Sequence, residues 1–522
     1  MLVRLVTTAG ALATGAMLVA TPAAAQPVKT VFVIAMENTN WTQNGSQFTG
    51  GQQQIYQNPA APFLNALVNG SATLLVNGVP TNISAQTAFA THYHNVLATP
   101  TGNGGHIHPS EPNYIWAEAG SNLGVLSDNT PFQSPGGTNQ NTTLHLATFL
   151  TAAGKTWRSY QEDIDLVPNA GTVNRPGANS LTSVVAPREQ WTVPLNNLSG
   201  TSNAYTNEYN GRHQYDYGVK HNPMAFFTDT NGGNDATPAN PMSLQYAPLQ
   251  QLAIDLQNNA VADYNWITPN QFNDIHTGLS GSFTYNGTTY LNNASQSGAE
   301  KIAQGDNFLV QMLSLIMASP AYQNNGAIIL WWDESEPDGT TDRDDFTHTI
   351  PEIVISPLAR PNVNGVPYAS SIDYTHSADL RSLQKIFGVD EPLLRDAATS
   401  PDLADLFALG ALDGPFQIAR GGFVRDRRTQ HYLQQIAITN TGATAQAGPI
   451  YLVLDSLSAN ASLVNASGVT NNPPAGSIYV VMPGTAGGLA PGATTTIALE
   501  FTDPANAAIT YVTRVLHGTV VP

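Results

Sequence analysis

Two acidic pairs stand at positions where acids are hard to accommodate. In "GAIILWWDESEPD" (326–338) the run Ala327 to Trp332 is apolar without a break, and Asp333 and Glu334 follow at once. In "TVFVIAMENTNW" (30–41) another apolar run ends in Glu37-Asn38. Carboxylates at the end of a core strand are desolvated at a penalty unless something compensates them. If the two strands are neighbours, Glu37, Asn38, Asp333 and Glu334 meet at one end of a sheet. All four offer oxygen ligands of the kind that hold a hard or borderline divalent cation. One such pair would read as solvated loop residues or helix caps. Two pairs, each closing an apolar strand, favour a metal ion.

Other chemistry-bearing residues are spread along the chain. "HIHPSEPNYIWAEAG" (106–120) places Ser110 between Pro109 and Pro112, just before a helix-like run that includes Asn113. A hydroxyl at the head of a helix sees backbone N–H donors and a positive dipole end, which favours an anion; the commoner role of such a Ser is an N-cap. The chain has 12 histidines. His92, His94, His106, His108, His221, His276, His348 and His376 fall at element boundaries, which suggests proton transfer or phosphate and metal contacts. "VKHNP" (219–223) and "NDIHTG" (273–278) are the most motif-like, and Lys220 reads either as a phosphate contact or as a surface residue.

The elements that must position these groups alternate in type. "KTVFVIAM" (29–36), "DYNWITP" (263–269), "GAIILWW" (326–332) and "EIVISPLA" (352–359) read as strands. Residues 299–319 have helical spacing, and 377–388 read as a helix with Ser377 and Asp379 at its start and Gly388 after its end. Continuous apolar strands separated by helices predict an α/β fold, a mostly parallel sheet sandwiched by helices. After residue 412 the pattern becomes short strands bounded by Gly, Pro and Asn, as in a small all-β sandwich. The expected organisation is a catalytic domain over 26–411, a linker near Asp413–Pro415 and an accessory β-sandwich over 416–522.

Composition sets further bounds. Residues 1–25 combine one Arg, an apolar middle and an Ala-x-Ala ending at Ala25, the pattern of a secretory signal cleaved before Gln26. No later stretch is long and apolar enough to span a bilayer, so a secreted or periplasmic protein is expected. The chain has no Cys, which excludes thiol catalysis and Cys-based metal sites. A formal net charge of −18 argues against nucleic acid as a partner. It leaves room for a small anionic substrate, provided a metal ion or local donors receive it.

Taken in order, Glu37-Asn38, "HPSEPNY", "WRSYQED" (157–163), "VKHNP", "WITPNQFNDIHTG" (266–278), "GAIILWWDESEPD" and "HTIPEIVISP" (348–357) resemble the bacterial phosphoesterase family over roughly residues 27–390. That family contains acid phosphatases and phosphatidylcholine-type phospholipases C and belongs to the alkaline-phosphatase-like superfamily. The resemblance implies a divalent metal held by Glu37, Asn38, Asp333 and Glu334, and Ser110 as nucleophile. It implies that His221 and His276 hold phosphoryl oxygens or protonate the leaving group, with His108, Asn113 and Lys220 as substrate contacts. A Gly-rich insertion, "ATPTGNGG", leaves open whether His94 or His108 fills the early histidine position. The C-terminal strands resemble immunoglobulin-like accessory domains of exported enzymes. The expected substrate is a small phosphate ester or a phospholipid head group. Rival readings are a phospholipase C cleaving a diester, a sulfatase, and a non-catalytic surface or carbohydrate-binding protein.

Overall fold

A computed structural model describes residues 27–42, 54–95, 107–164, 168–169, 172–173, 177–179, 187–203, 205–293, 298–335, 349–390, 392–408, 411–412, 414, 416–442, 445–471 and 476–518. The expected leader, the Gly-rich stretch, His106, His348, and Asp413 and Pro415 of the expected linker lie outside the described residues.

The region before residue 412 is built on one 8-stranded sheet. Its strands are β1 (Thr30–Met36), β2 (Thr87–Ala90), β3 (Trp157–Gln161), β4 (Tyr246–Pro248), β5 (Tyr264–Thr268), β6 (Gly326–Trp332), β7 (Glu352–Ile355) and β8 (Tyr368–Ser370). The spatial order is β4-β3-β5-β1-β6-β7-β2-β8. β1 and β6 are neighbours, parallel, and in register from Thr30 opposite Gly326 to Met36 opposite Trp332. β5 lies parallel on the other side of β1. β1 is therefore the point from which the strand order runs outward in both directions, and the carboxyl ends of β5, β1 and β6 form the crevice in which open α/β sheets bind ligands.

The sheet is mostly parallel, as expected, and β7 alone among its strands runs antiparallel to both of its neighbours. A four-residue strand buried on both faces looks the same in sequence whichever way it runs.

Helices cover both faces. Trp266 and Trp331 project to one side, where Tyr114 of α2 (Ser110–Ala119) packs edge-on against both rings. α1 (Pro62–Asn69) and α3 (Ala299–Met317) lie against each other, and Asp306 of α3 accepts hydrogen bonds from the Phe63 and Leu64 amides in the first turn of α1. Gly305 of α3 lets this helix approach the end of β1: a Cβ there would collide with Ile275 and reach within 3.0 Å of Met36 Cε. α4 (His376–Phe387) ends at Gly388 in the left-handed region, φ 66°, which closes the helix at the expected residue.

The C-terminal region has its own hydrophobic cluster, including Ile436, Ile438, Leu452, Leu499 and Phe501. It comprises β9 (Phe416–Arg425), β10 (Tyr432–Asn440), β11 (Ile450–Asp455), β12 (Ser462–Leu463), β13 (Gly468–Val469), β14 (Ile478–Val481), β15 (Thr494–Thr502) and β16 (Val512–His517). They form two 4-stranded sheets, β9-β10-β15-β12 and β13-β14-β11-β16, with antiparallel pairing throughout.

At the junction with the region that carries the 8-stranded sheet, His517 Nε2 lies 2.9 Å from Asp390 Oδ1, with both side chains nearly buried. Burial would raise the Asp390 carboxyl, but His517 outweighs it and holds it below the usual value. His517→Leu leaves that carboxylate buried and unpaired, so it is expected to lower stability by about 3 kcal/mol. Denaturant unfolding checks this, and turnover of a small substrate should not change.

Candidate active site

The register of β1 against β6 puts Glu37-Asn38 beside Asp333-Glu334. Asn38 donates to both members of the neighbouring pair: its backbone N to Asp333 Oδ1 at 3.2 Å and its Nδ2 to Glu334 Oε1 at 2.8 Å. The third strand of the crevice adds an acid that the sequence reading did not single out. Asp274 follows β5, and its carbonyl accepts from the Glu37 amide at 2.8 Å. The signal was present, since "WITPNQFNDIHTG" is a third apolar strand leading to an acid.

Helix α2 presents one polar stripe to these acids. Ser110, Asn113 and Tyr114 share a face by their i, i+3, i+4 spacing. Ser110 Oγ lies 3.2 Å from Glu37 Oε2 and 3.2 Å from Glu334 Oε1. Tyr114 donates to Glu37 Oε1 at 2.5 Å, and Asn113 Nδ2 donates to Glu334 Oε2 at 3.3 Å. All ten residues of α2 are buried. The N-cap position is Pro109, Ser110 is the first helical residue, and the bonds of its Oγ go to the Glu37 and Glu334 carboxylates. Its hydroxyl therefore serves the acids and not the helix end. Of the two early histidines, His108 reaches the pair, with Nδ1 2.6 Å from Glu334 Oε2; His94 is wholly buried, its amide bonded to the Tyr374 carbonyl.

His221 sits between two acids. Its Nε2 is 3.0 Å from Glu37 Oε1 and its Nδ1 is 3.3 Å from Asp274 Oδ2, without hydrogen-bond geometry at either nitrogen. Burial and the nearby Lys220 push its pKa well below the usual histidine value, so the ring is neutral. A neutral imidazole carries one N–H, so with both acids ionised one of these two contacts sets a lone pair against a carboxylate oxygen. Glu37, His221 and Asp274 present ligand atoms within 4.8 Å of one another, all buried. Asp333 Oδ2 and Asn38 Oδ1 are also buried and make no hydrogen bond among the described residues. Lone pairs opposed in this way fit a divalent cation. That arrangement gives His221 the place of a ligand more readily than that of a proton donor.

The electrostatics agree. Burial, reinforced by Glu334, pushes the Glu37 carboxyl up to about 8 against the pull of Lys220 and Tyr114. Asp274 and Asp333 are raised well above the carboxylate range by burial and by Glu37. Burial alone would depress the Lys220 ammonium, but Glu37 and Asp128 outweigh it and hold its pKa above the ordinary lysine value. Lys220 Nζ donates to Asp128 Oδ2 at 3.1 Å, and Asp128 Oδ1 accepts from the Glu111 amide beside Ser110 at 3.0 Å. Lys220 also lies 3.3 Å from His276 Nε2. An ammonium only donates, so Nε2 accepts, and the His276 proton sits on Nδ1, 2.9 Å from Thr277 Oγ1. Burial and Lys220 press the His276 pKa down to about 3.

Backbone strain marks the same place. Ile275, between Asp274 and His276, has φ 84°. A β-branched residue there is an outlier worth on the order of 1–3 kcal/mol, and such strain gathers at functional sites. Behind β6, His376 Nε2 donates to the Asp333 carbonyl at 2.5 Å, while Tyr93 OH and Trp331 Nε1 meet its Nδ1 at 2.9 and 3.1 Å. His376 thus steadies the backbone of the acidic pair.

The chain matches the Phosphoesterase family over residues 23–390, the family expected from the ordered motifs. No curated protein matches significantly. Similar solved structures include the lipoteichoic acid synthase LtaP from Listeria monocytogenes, 8% identical with a TM-score of 0.36 and covering 79% of this chain and 85% of that one. Another is a protein in the alkaline phosphatase superfamily from Vibrio parahaemolyticus, 11% identical with a TM-score of 0.36, covering 82% and 81%. Overlaps this loose carry no residue correspondence. Among the described residues no helix is long and apolar enough to cross a membrane.

Proposed function

This chain belongs to the phosphoesterase family, a hydrolase family acting on phosphoric esters, and from that premise we propose that it hydrolyses phosphate monoesters through Ser110 with the help of a divalent metal ion. The observation that carries the reading is the Ser110 hydroxyl, 3.2 Å from both Glu37 Oε2 and Glu334 Oε1 at the start of a buried helix. Glu37, His221, Asp274 and Asp333 would hold the ion, with Asn38 and Glu334 beside them. When bound, such an ion supplies positive charge that lowers the pKa of a neighbouring hydroxyl and stabilises negative charge developing on phosphorus.

The chain's own groups do the rest. Ser110 Oγ gives its proton to a neighbouring carboxylate and attacks phosphorus in line. The Oγ–P bond forms as the bond to the ester oxygen breaks, and the departing alkoxide takes a proton from water. Water then releases phosphate and regenerates the hydroxyl. His221 and His276 are held neutral, and His276 Nε2 is engaged by Lys220, so neither has a proton placed for the leaving group. The phosphoryl oxygens are received by the remaining N–H of Lys220. That fixed positive charge suits the dianion of a monoester better than the monoanion of a diester.

Turnover of an aryl phosphate monoester and an aryl phosphodiester, with and without added metal, tests the reading. Metal-dependent turnover favouring the monoester is expected. Preference for the diester would move the assignment to a phospholipase C type, and no turnover of either would favour a non-catalytic role. The leader-like residues 1–25 support export. N-terminal sequencing of protein secreted by an expression host should start at Gln26.

A further inference from the structure

The turn that carries Asp274 and His276 into the site is anchored from outside it. β3 is followed directly by Glu162 and Asp163, both fully buried. Glu162 accepts from the Asn270 amide at 2.8 Å, from Asn207 Nδ2 at 2.6 Å, and from Asn273 Nδ2 at 3.0 and 3.1 Å. Asp163 accepts from Asn270 Nδ2 at 2.8 Å, Tyr205 OH at 2.7 Å and the Asp216 amide at 3.1 Å. The Asn270 carbonyl then accepts from the amides of Asn273 and Asp274, at 2.9 and 3.0 Å. Two acids thus grip the start of a turn whose end is Asp274. Immediately beyond it is Ile275 at φ 84°, a backbone state that a β-branched residue keeps only when its surroundings impose it. The far end of the turn is pinned by the Glu37 amide on the Asp274 carbonyl and by Ile275 packed on Gly305.

We infer that Glu162 and Asp163 are positioning residues that set the protein's affinity for a divalent cation without touching it, by holding Asp274 at the distance and angle that Glu37 and His221 require. The inference rests on the metal reading of Glu37, His221 and Asp274. Carboxylates and amides that orient metal ligands from behind commonly change affinity 10- to 100-fold when lost. A merely structural role would lower stability and leave the affinity of the folded protein unchanged.

The experiment titrates chelator-stripped protein with Mn2+, Zn2+ and Ca2+ by calorimetry, after circular dichroism establishes that each variant is folded. Glu162→Gln keeps the size of the side chain but sets an NH2 against the donors of Asn270 and Asn273. It is expected to raise the Kd of the best-bound ion about 10- to 100-fold, with kcat largely restored at saturating ion. Asn273→Ala removes two of the Glu162 contacts and is expected to shift the Kd in the same direction by less; it decides the matter if Glu162→Gln does not fold. Unchanged Kd in the folded variants, beside a wild type that binds, overturns the inference and leaves the metal reading standing. A wild type that binds none of the ions overturns the metal reading and the inference with it.

Discussion

Ser110→Ala is expected to lose at least about three orders of magnitude in kcat while its melting temperature moves by a few degrees at most. The first half follows from the hydroxyl's place. Two carboxylates approach one O–H at 3.2 Å each, and only one of them can receive its proton. Among the described residues no other hydroxyl is hydrogen-bonded to both Glu37 and Glu334: Tyr114 meets Glu37 through the opposite oxygen, Oε1. Residues that act as a unit lose nearly the whole mechanism together. The second half follows from what Ser110 does not do. Its hydroxyl bonds to the Glu37 and Glu334 carboxylates and not to an amide of the helix, and the helix behind it is buried along its whole length. Had Ser110 been a cap, its loss would lower stability by about 1 kcal/mol and leave turnover nearly intact. Intact-mass measurement of acid-quenched wild type with substrate should show a phosphate adduct that the variant lacks. Near-normal turnover in the variant would sink the assignment and direct attention to water attacking directly.

Removing the divalent ion is expected to abolish turnover and to make stability fall with pH in a range where the loaded protein is nearly flat. In the ion-free protein Glu37 sits at about 8, against 4.5 for an exposed glutamate. Between those values the folded chain holds a proton that the unfolded chain has released, so rising pH favours unfolding. Asp274 and Asp333 act in the same sense. Below about 6.5 the neutral His221, His276 and His376 oppose this, because they gain protons more readily when unfolded. From about pH 6.5 to 8 the acids act alone. At ~1.4 kcal/mol per pKa unit, Glu37 by itself amounts to about 2 kcal/mol over that interval. A bound cation stabilises the carboxylates as such and removes the slope. Thermal unfolding of chelated and Mn2+-loaded protein at pH 6.5 and pH 8 checks this. Equal slopes in the two forms would mean that no ion occupies the acid cluster.

Several parts of this arrangement were legible before any tertiary contact was known. Unbroken apolar runs of six residues suit strands buried on both faces, and 31–36 and 327–332 are such runs, while 264–268 is a buried strand that carries Asn265 and Thr268 among its apolar residues. An acid placed directly after such a run has nowhere to go but the sheet's edge, which is why Glu37 and Asp333 announced themselves. The helix over His376–Phe387 ends at Gly388 because glycine accepts the left-handed state that closes a helix. The change of pattern past residue 412 reflects two antiparallel sheets joined by turns, a local property of short strands bounded by Gly, Pro and Asn.

What the sequence by itself determined, then, is which segments are strands, which residues close them, and that charge at those closures needs a counter-charge. Strand order and direction belong to the tertiary structure alone. An apolar β7 satisfies the core in either direction, and its reversal follows from its pairing with β6 and β2. The grouping of Glu37 with His221 and Asp274 depends on β5 lying beside β1, and on a short helical turn bringing His221 over both. The tautomer of His276 turns on a single contact, the Lys220 ammonium at its Nε2. Such contacts join side chains far apart along the chain, and no local spacing encodes them. They exist because burying the sheet's two faces brings its carboxyl ends together, and with them the acids that each strand carries.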